Sequence, residues 1–300
     1  MEQSKKKIFI EHCPLCDKSD FDPYLSTKDY FLTQENFELV QCKFCKFVFT
    51  NPIPSPEDLP NYYDSPNYLS HAVSKKSLVG TVYDNLRDIN LKNKFKLISK
   101  FKTEGKILDI GQGTGEFLNY MNRRGWDVTG IEPNDSTRQY AIENYQLSVH
   151  PEGYINKLEK KSFDIISLWH VMEHVPDLNL RMRQIKDLIA ESGILIIAVP
   201  NLNAPDSKKY GEKWAALDVP RHLYHFTHES MFNLLQKFGF ELENSYPMKL
   251  DSFYVSLLSE RYLNNKFPYP AAFFNGLKSN LGARKENNYS SMIFVAKQKN

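Results

Sequence analysis

The sequence predicts an α/β protein: a mainly parallel sheet flanked by helices, preceded by a small cysteine-bearing module. Three observations carry this. After Gly105, short apolar strands alternate with helices of about ten residues. A glycine turn, ILDIGQGTGEFL, joins the first of those strands to a helix. All four cysteines sit near the N-terminus in two identical C-x-x-C frames.

The chain has 300 residues, 41% hydrophobic and 25% charged, enough to bury an ordinary core. Its net charge of +2 does not suggest a nucleic-acid footprint. Residues 261–300 hold seven Lys/Arg and one Glu, which reads first as solvated surface and second as a meeting place for an acidic substrate. The start, MEQSKKKIFIEHCPLC, lacks the apolar run of about 7–15 residues that a secretory signal needs. No stretch approaches the roughly 18 apolar residues of a membrane span. A cytoplasmic location is expected.

Cys13 and Cys16 form one frame, Cys42 and Cys45 the other. Two such turns supply four thiolates, the closed tetrahedral shell of a structural zinc, with no open position for catalysis. A reducing compartment argues against two disulfides. The 25 residues between the pairs call for a hairpin there, and FELVQCKFCKFVFTNP reads as strand, knuckle and strand. The zinc module and linker are expected over 1–60. Residues 51–70 carry five prolines and read as the linker, with Tyr62, Tyr63 and Tyr68 pinning it to the next domain. That second domain is expected over 61–300. It opens with a helix over 83–101 that puts Leu91, Phe95, Ile98 and Phe101 on roughly one face.

Its strands are KILDI, DVTGIE, LSVH, FDIISLW, GILIIAVP, FELENSY and SSMIFVAKQ; helical runs such as STRQYAIENY and ESMFNLLQKF lie between them. Gly111, Gly113 and Gly115 allow a tight strand-to-helix turn that brings backbone N–H groups close to a ligand. A dinucleotide site would want glycine or alanine at 116, where this chain has Glu116, and Asp109 adds negative charge where a pyrophosphate would lie. Both favour a cationic ligand without phosphate. Glu132 closes the second strand, where an acid can hold the two ribose hydroxyls of an adenosine.

The stretches ILDIGQGTGEFL, GIEPN, FDIISLWHVMEHVPD and GILIIAVPN resemble the class I S-adenosylmethionine-dependent methyltransferases, over roughly residues 80–300. The resemblance is strongest to a bacterial subgroup with an N-terminal four-cysteine module and a DVPRHLYHFT segment, here at 218–227. It implies a Rossmann-like seven-stranded sheet in the order 3-2-1-4-5-7-6, with strand 7 antiparallel. It also implies that Asp109 and the three glycines hold the methionine end of S-adenosylmethionine and Glu132 the ribose. The expected cofactor-binding set is Asp109, Gly111, Gln112, Gly113, Gly115, Glu132, Pro133, Trp169 and His170.

The pentapeptide HVMEH, residues 170–174, mimics a zinc-protease pattern in which both histidines bind one ion. Here Pro176 biases Val175 away from helix and leaves at most a turn or so for the pair, where a zinc protease needs a longer helix to fix both imidazoles, so HVMEH is not expected to hold a catalytic metal. His170 instead falls where the fourth strand ends, and Trp169 and His170 are expected to line the cofactor or substrate pocket. Glu173 and His174 are expected to anchor the loop by hydrogen bonds. Methyl transfer from a sulfonium needs alignment and water exclusion, and a base only if the acceptor carries a proton. The candidate catalytic residues are His170, His222 and His225, since histidine titrates near neutral pH. Arg221 could bind a substrate carboxylate or phosphate.

The expected reaction is methyl transfer from S-adenosylmethionine to oxygen or carbon of a small molecule, with a sugar-linked acceptor suggested by analogy alone. An RNA methyltransferase gripping RNA through the zinc module is the alternative. Residues 8–50 argue against it, with four lysines, no arginine and seven acids. A non-catalytic cofactor-binding protein is the third reading. Residues 247–289 lie between the last two strands and carry eight aromatic residues, so they read as a substrate lid or as a buried structure of their own.

Overall fold

The computed structural model describes residues 6–63 and 78–299, with side chains from 87 onward in the helix that opens the second stretch. Tyr68 and the second half of the expected linker lie outside the described residues. The N-terminal strands are β1 (Lys7–Ile8), β2 (Phe21–Lys28), β3 (Asn36–Cys42), β4 (Val48–Thr50) and β5 (Ile53–Pro54). The β2–β3 hairpin spans the gap between the two cysteine pairs, as the spacing required.

Then come α1 (Leu78–Ile98), β6 (Lys106–Ile110), α2 (Glu116–Asn122), β7 (Asp127–Ile131), α3 (Asp135–Tyr145), β8 (Val149–His150) and β9 (Phe163–Trp169). Next are α4 (Leu178–Leu188), β10 (Ile189–Pro200), α5 (Pro205–Tyr210), β11 (Tyr224–His225), α6 (His228–Lys237) and β12 (Phe240–Pro247). The chain ends with α7 (Asp251–Tyr262), α8 (Pro268–Ala283) and β13 (Ser291–Gln298). α1 stops three residues short of Phe101.

Seven strands form one sheet in the order β12-β13-β10-β9-β6-β7-β8. Counted from β6, this is the expected order 3-2-1-4-5-7-6 read from the other edge. β6 pairs in parallel with β7 and β9, and β7 with β8. The central strands are buried on both faces, which is why KILDI and FDIISLW read as apolar runs rather than alternating ones.

The described residues form two compact units. One comprises the chain to 63, 170–179 and 198–294; the other comprises 78–169, 180–197 and 295–299. In the first, Phe37, Leu39 and Val48 of the N-terminal sheet share a core with Tyr62, Trp214, Leu217 and Val219. β11 extends that sheet, pairing Tyr224 with Phe49 and His225 with Val48. The 247–289 segment is a helix pair. α8 buries only small residues, Ala272, Gly276, Ser279 and Ala283, so α7 and α8 approach closely. A Cβ on Gly276 would stand 2.9 Å from the Phe253 Cα.

Candidate functional site

The second unit carries the glycine turn. Strand register places Asp109 opposite Ser167 on β9 and Gly130 on β7. The Ser167 hydroxyl donates to the Asp109 carboxylate at 2.5 Å. Asp109 is 1% exposed, and burial pushes its pKa up to about 7 against the pull of Ser167 and Lys94, with Glu132 adding to the rise. Gly111, Gly113 and Gly115 all have positive φ, at 69°, 62° and 89°. Among the described residues nothing lies within 4 Å of a Cβ placed at 113, which leaves room beside the turn's backbone, whereas one at 115 would come within 2.9 Å of the Ala141 Cβ.

Glu132 closes the turn. Its Oε2 accepts from the Gly113 N–H at 2.9 Å and its Oε1 from the Asn134 N–H at 3.0 Å. Burial pushes its pKa up while these two donors oppose the rise. Pro133 is next in the chain, and its carbonyl accepts from Arg138 at 3.4 Å. Among the described residues, nothing partners the buried Gln112 Oε1 and Trp169 Nε1. The Trp169 ring packs edge-on against Phe117 at 5.6 Å, with the Lys94 ammonium 4.2 Å from its centre. The cradle thus has open space over Gly113, a paired acid at its rim and unanswered polar atoms in its lining. These features fit a polar, cationic, adenosine-bearing ligand. Sequence reasoning missed Gly130, where a Cβ would press on Leu118 at 2.9 Å and Val149 at 3.2 Å. The only hint was a glycine inside DVTGIE.

The four cysteines come together in the first unit, one sulfur from each within 4.8 Å of the others. Cys13 and Cys45 sulfurs are 3.5 Å apart, as are those of Cys16 and Cys42. That is too far for disulfides and near the edge of a tetrahedron with bonds of about 2.3 Å. The two turns repeat one geometry: Asp17 N–H donates to the Cys13 carbonyl, Lys46 N–H to that of Cys42, and Asp17 and Lys46 both have positive φ.

His170 also lies in the first unit, with a φ of 58° that costs a non-glycine residue about 1 kcal/mol or more. Residues 170–174 form a turn and not a helix, so His170 and His174 do not share a helical face. The His170 ring pairs through Nδ1 with Glu173 at 3.2 Å and through Nε2 with Asp251 at 3.1 Å. Burial disfavours its charged form, but the two carboxylates outweigh this and push it up to about 10. His174 meets the Tyr63 hydroxyl and the Arg221 carbonyl, both at 3.1 Å, so the expected anchoring of this loop includes one of the linker tyrosines. Tyr62 is buried and donates to Glu35 at 2.8 Å.

His222 Nδ1 donates to the Ala216 carbonyl at 2.9 Å. His225 is 4% exposed, lies 3.2 Å from the Thr50 hydroxyl, and is pushed down to about 3 by burial. The expectation that Arg221 contacts substrate is corrected. Its guanidinium is buried and donates to Asp29, to both oxygens of Asp218 and to the Tyr62 carbonyl. Nothing in PRHLYHF announced these partners, because Asp29 lies 192 residues away.

Known proteins resemble this chain in sequence and in fold. A methyltransferase-domain family matches residues 84–245. A ubiquinone biosynthesis O-methyltransferase of Haemophilus ducreyi is 32% identical over 107 residues, 32% of this chain and 45% of that protein. The protein of the same name from Glaesserella parasuis is 33% identical over 120 residues, 34% of this chain and 50% of that one. The chain thus spans about half the length of these curated relatives. A phosphoethanolamine N-methyltransferase of Haemonchus contortus, solved with S-adenosyl-L-methionine, superposes with a TM-score of 0.53. It is 15% identical, and the match covers 93% of this chain and 69% of that one, which establishes shared fold.

Proposed function

Because the chain belongs to the methyltransferase-domain family, we propose that it moves a methyl group from S-adenosylmethionine to an oxygen of a small molecule. The cofactor supplies an activated methyl on a sulfonium. The observation that carries the reading is the β6–turn–α2 cradle, in which three left-handed glycines lie between the Asp109 carboxylate and Glu132. Asp109 faces the cationic end, the glycine turn lies along the methionine end, and Glu132 takes the ribose hydroxyls on the lone pairs its two backbone donors leave, with Gln112, Pro133 and Trp169 around the rest. Oxygen is favoured as acceptor by the relatives' printed names, and a sugar-linked or anionic acceptor remains the finer expectation.

His170 comes directly after Trp169 and is the histidine assigned to the acceptor. Both its nitrogens already engage carboxylates, so it contributes a fixed ring and positive charge there rather than a hydrogen bond or a base. His222 and His225 hold the 218–227 segment in place. Cys13, Cys16, Cys42 and Cys45 hold a structural zinc, supported by their 3.5 Å sulfur spacings. We assign 1–60 as the zinc module and 61–300 as the methyl-transfer domain, with 247–289 setting acceptor specificity. No helix among the described residues is long and apolar enough to cross a membrane, and the cytoplasm is the proposed location.

Calorimetry with S-adenosylmethionine tests the reading. Glu132→Ala should weaken binding by about 1–3 kcal/mol, the cost of a lost charge-assisted hydrogen bond. Wild-type protein that binds the cofactor yet transfers no label to any phenolic, sugar or carboxylic acceptor would establish the non-catalytic alternative.

A further inference from the structure

Glu173, His174 and His222 each offer one ligand atom, and these atoms lie within 4.8 Å of one another. All three belong to the first unit, where the Leu223 N–H donates to the Glu173 carbonyl at 2.7 Å and fixes the two loops together. The surrounding bonds decide which atoms remain to bind. His222 Nδ1 is 2.9 Å from the Ala216 carbonyl, which can only accept, so the proton sits on Nδ1 and Nε2 keeps its lone pair. His174 Nδ1 is 3.1 Å from both the Arg221 carbonyl, which can only accept, and the Tyr63 hydroxyl, which can accept as well as donate; a proton on Nδ1 satisfies the carbonyl and leaves Nε2 as an acceptor. Glu173 Oε1 is taken by His170, while Oε2 is buried without a partner in a residue 1% exposed.

Three acceptors therefore converge, and no donor among the described residues answers Glu173 Oε2. A further carboxylate oxygen, Asp218 Oδ2, is 4.0 Å from His222 Nε2 and is another acceptor. A cation resolves this; a proton would serve only one pair of the three. Two imidazoles and one carboxylate are a common donor set for zinc and its first-row neighbours. The outer bonds match what metal-bound side chains show: each histidine donates its other N–H to a backbone carbonyl, and the carboxylate is itself held.

We propose that Glu173, His174 and His222 bind a divalent transition-metal ion, separate from the four-cysteine site. His170 is not a ligand here but steadies Glu173. Asp218 is held by Arg221 through both oxygens, at 2.7 and 3.0 Å, so the protein supplies three ligands and one position stays open. Water would fill it and become more acidic.

Full-length protein, dialysed against a weak chelator to clear metal bound by nitrogen and oxygen, is titrated with Co²⁺ and followed by visible absorption. The expected result is one equivalent bound with d–d bands and no thiolate charge-transfer band. His222→Gln and, separately, His174→Gln should abolish those bands. Added Zn²⁺ should raise the melting temperature of the wild type and leave both variants unmoved. Wild-type protein that shows no such bands overturns the site, whatever the variants do. So does a full equivalent retained in both folded variants, which would place the ion elsewhere. Loss of methyl transfer with normal metal binding in the wild type would count against the function and leave the site standing.

Discussion

Arg221 and Asp29 meet at 2.8 Å, with side chains 1% and 0% exposed. Asp29 lies in the loop of the β2–β3 hairpin, where it also accepts from Leu32 and Thr33 N–H groups. Removing one member of a buried pair leaves the other charged and desolvated, a loss of about 3–5 kcal/mol. Arg221→Met should therefore lower the unfolding free energy by that amount in a urea titration. Pairing it with Asp29→Asn should recover part of the loss. A change below about 1 kcal/mol in the single variant would show that water reaches the pair.

Asp109 gives the protein a pH signature. Its folded pKa, about 7, stands above the unfolded value of about 3.9. The folded cofactor-free protein therefore holds the extra proton across that interval, and this group's contribution to stability falls as pH rises from about 4 to 7. A cationic ligand prefers the ionised carboxylate, so S-adenosylmethionine should bind more tightly as pH rises through 7, releasing a proton. Calorimetry at pH 6 and 8 in buffers of different ionisation enthalpy measures both effects. Asp109→Asn should flatten the profile. An equally steep profile in the variant would assign the proton to another group.

Zinc at the knuckles is expected to be structural. Purified Cys42→Ser should carry one equivalent less than the wild type and melt at a lower temperature, because three thiolates no longer close the shell. Metal analysis beside a thermal melt is sufficient. Equal zinc content in the two proteins would refute the assignment.

Phe273 and Phe274 on α8 are 57% and 66% exposed, so they do little for the core. If 247–289 sets acceptor specificity, these rings are its apolar surface. Changing both to Ser should leave the melting temperature and cofactor affinity nearly unchanged. It should cost the acceptor roughly 1.5–3 kcal/mol per buried ring, so KM rises about tenfold or more. A drop in melting temperature with an unchanged KM would mean that the helix pair only props up the fold.

The parts legible in the chain were those whose signals lie within a few residues. The strand–helix alternation specified the sheet, and with the family resemblance its order. The glycine turn, with Asp109 before it, sits in one contiguous stretch, and the cysteine pairs each occupy one turn. Pro176 alone was enough to deny HVMEH a helix. Tertiary structure decided the rest. Arg221 looks like a ligand for substrate until Asp29 is brought to it from the far end of the chain. His225 looks like a base until β11 joins β4 and buries it. Glu173 and His174 look like loop anchors, and are, until the turn before β11 carries His222 to them. In each case the residue's chemistry is written locally, but its pKa, exposure and free valences are set by partners dozens to hundreds of residues away. Those partners arrive only when the core closes, so local pattern carries no record of them.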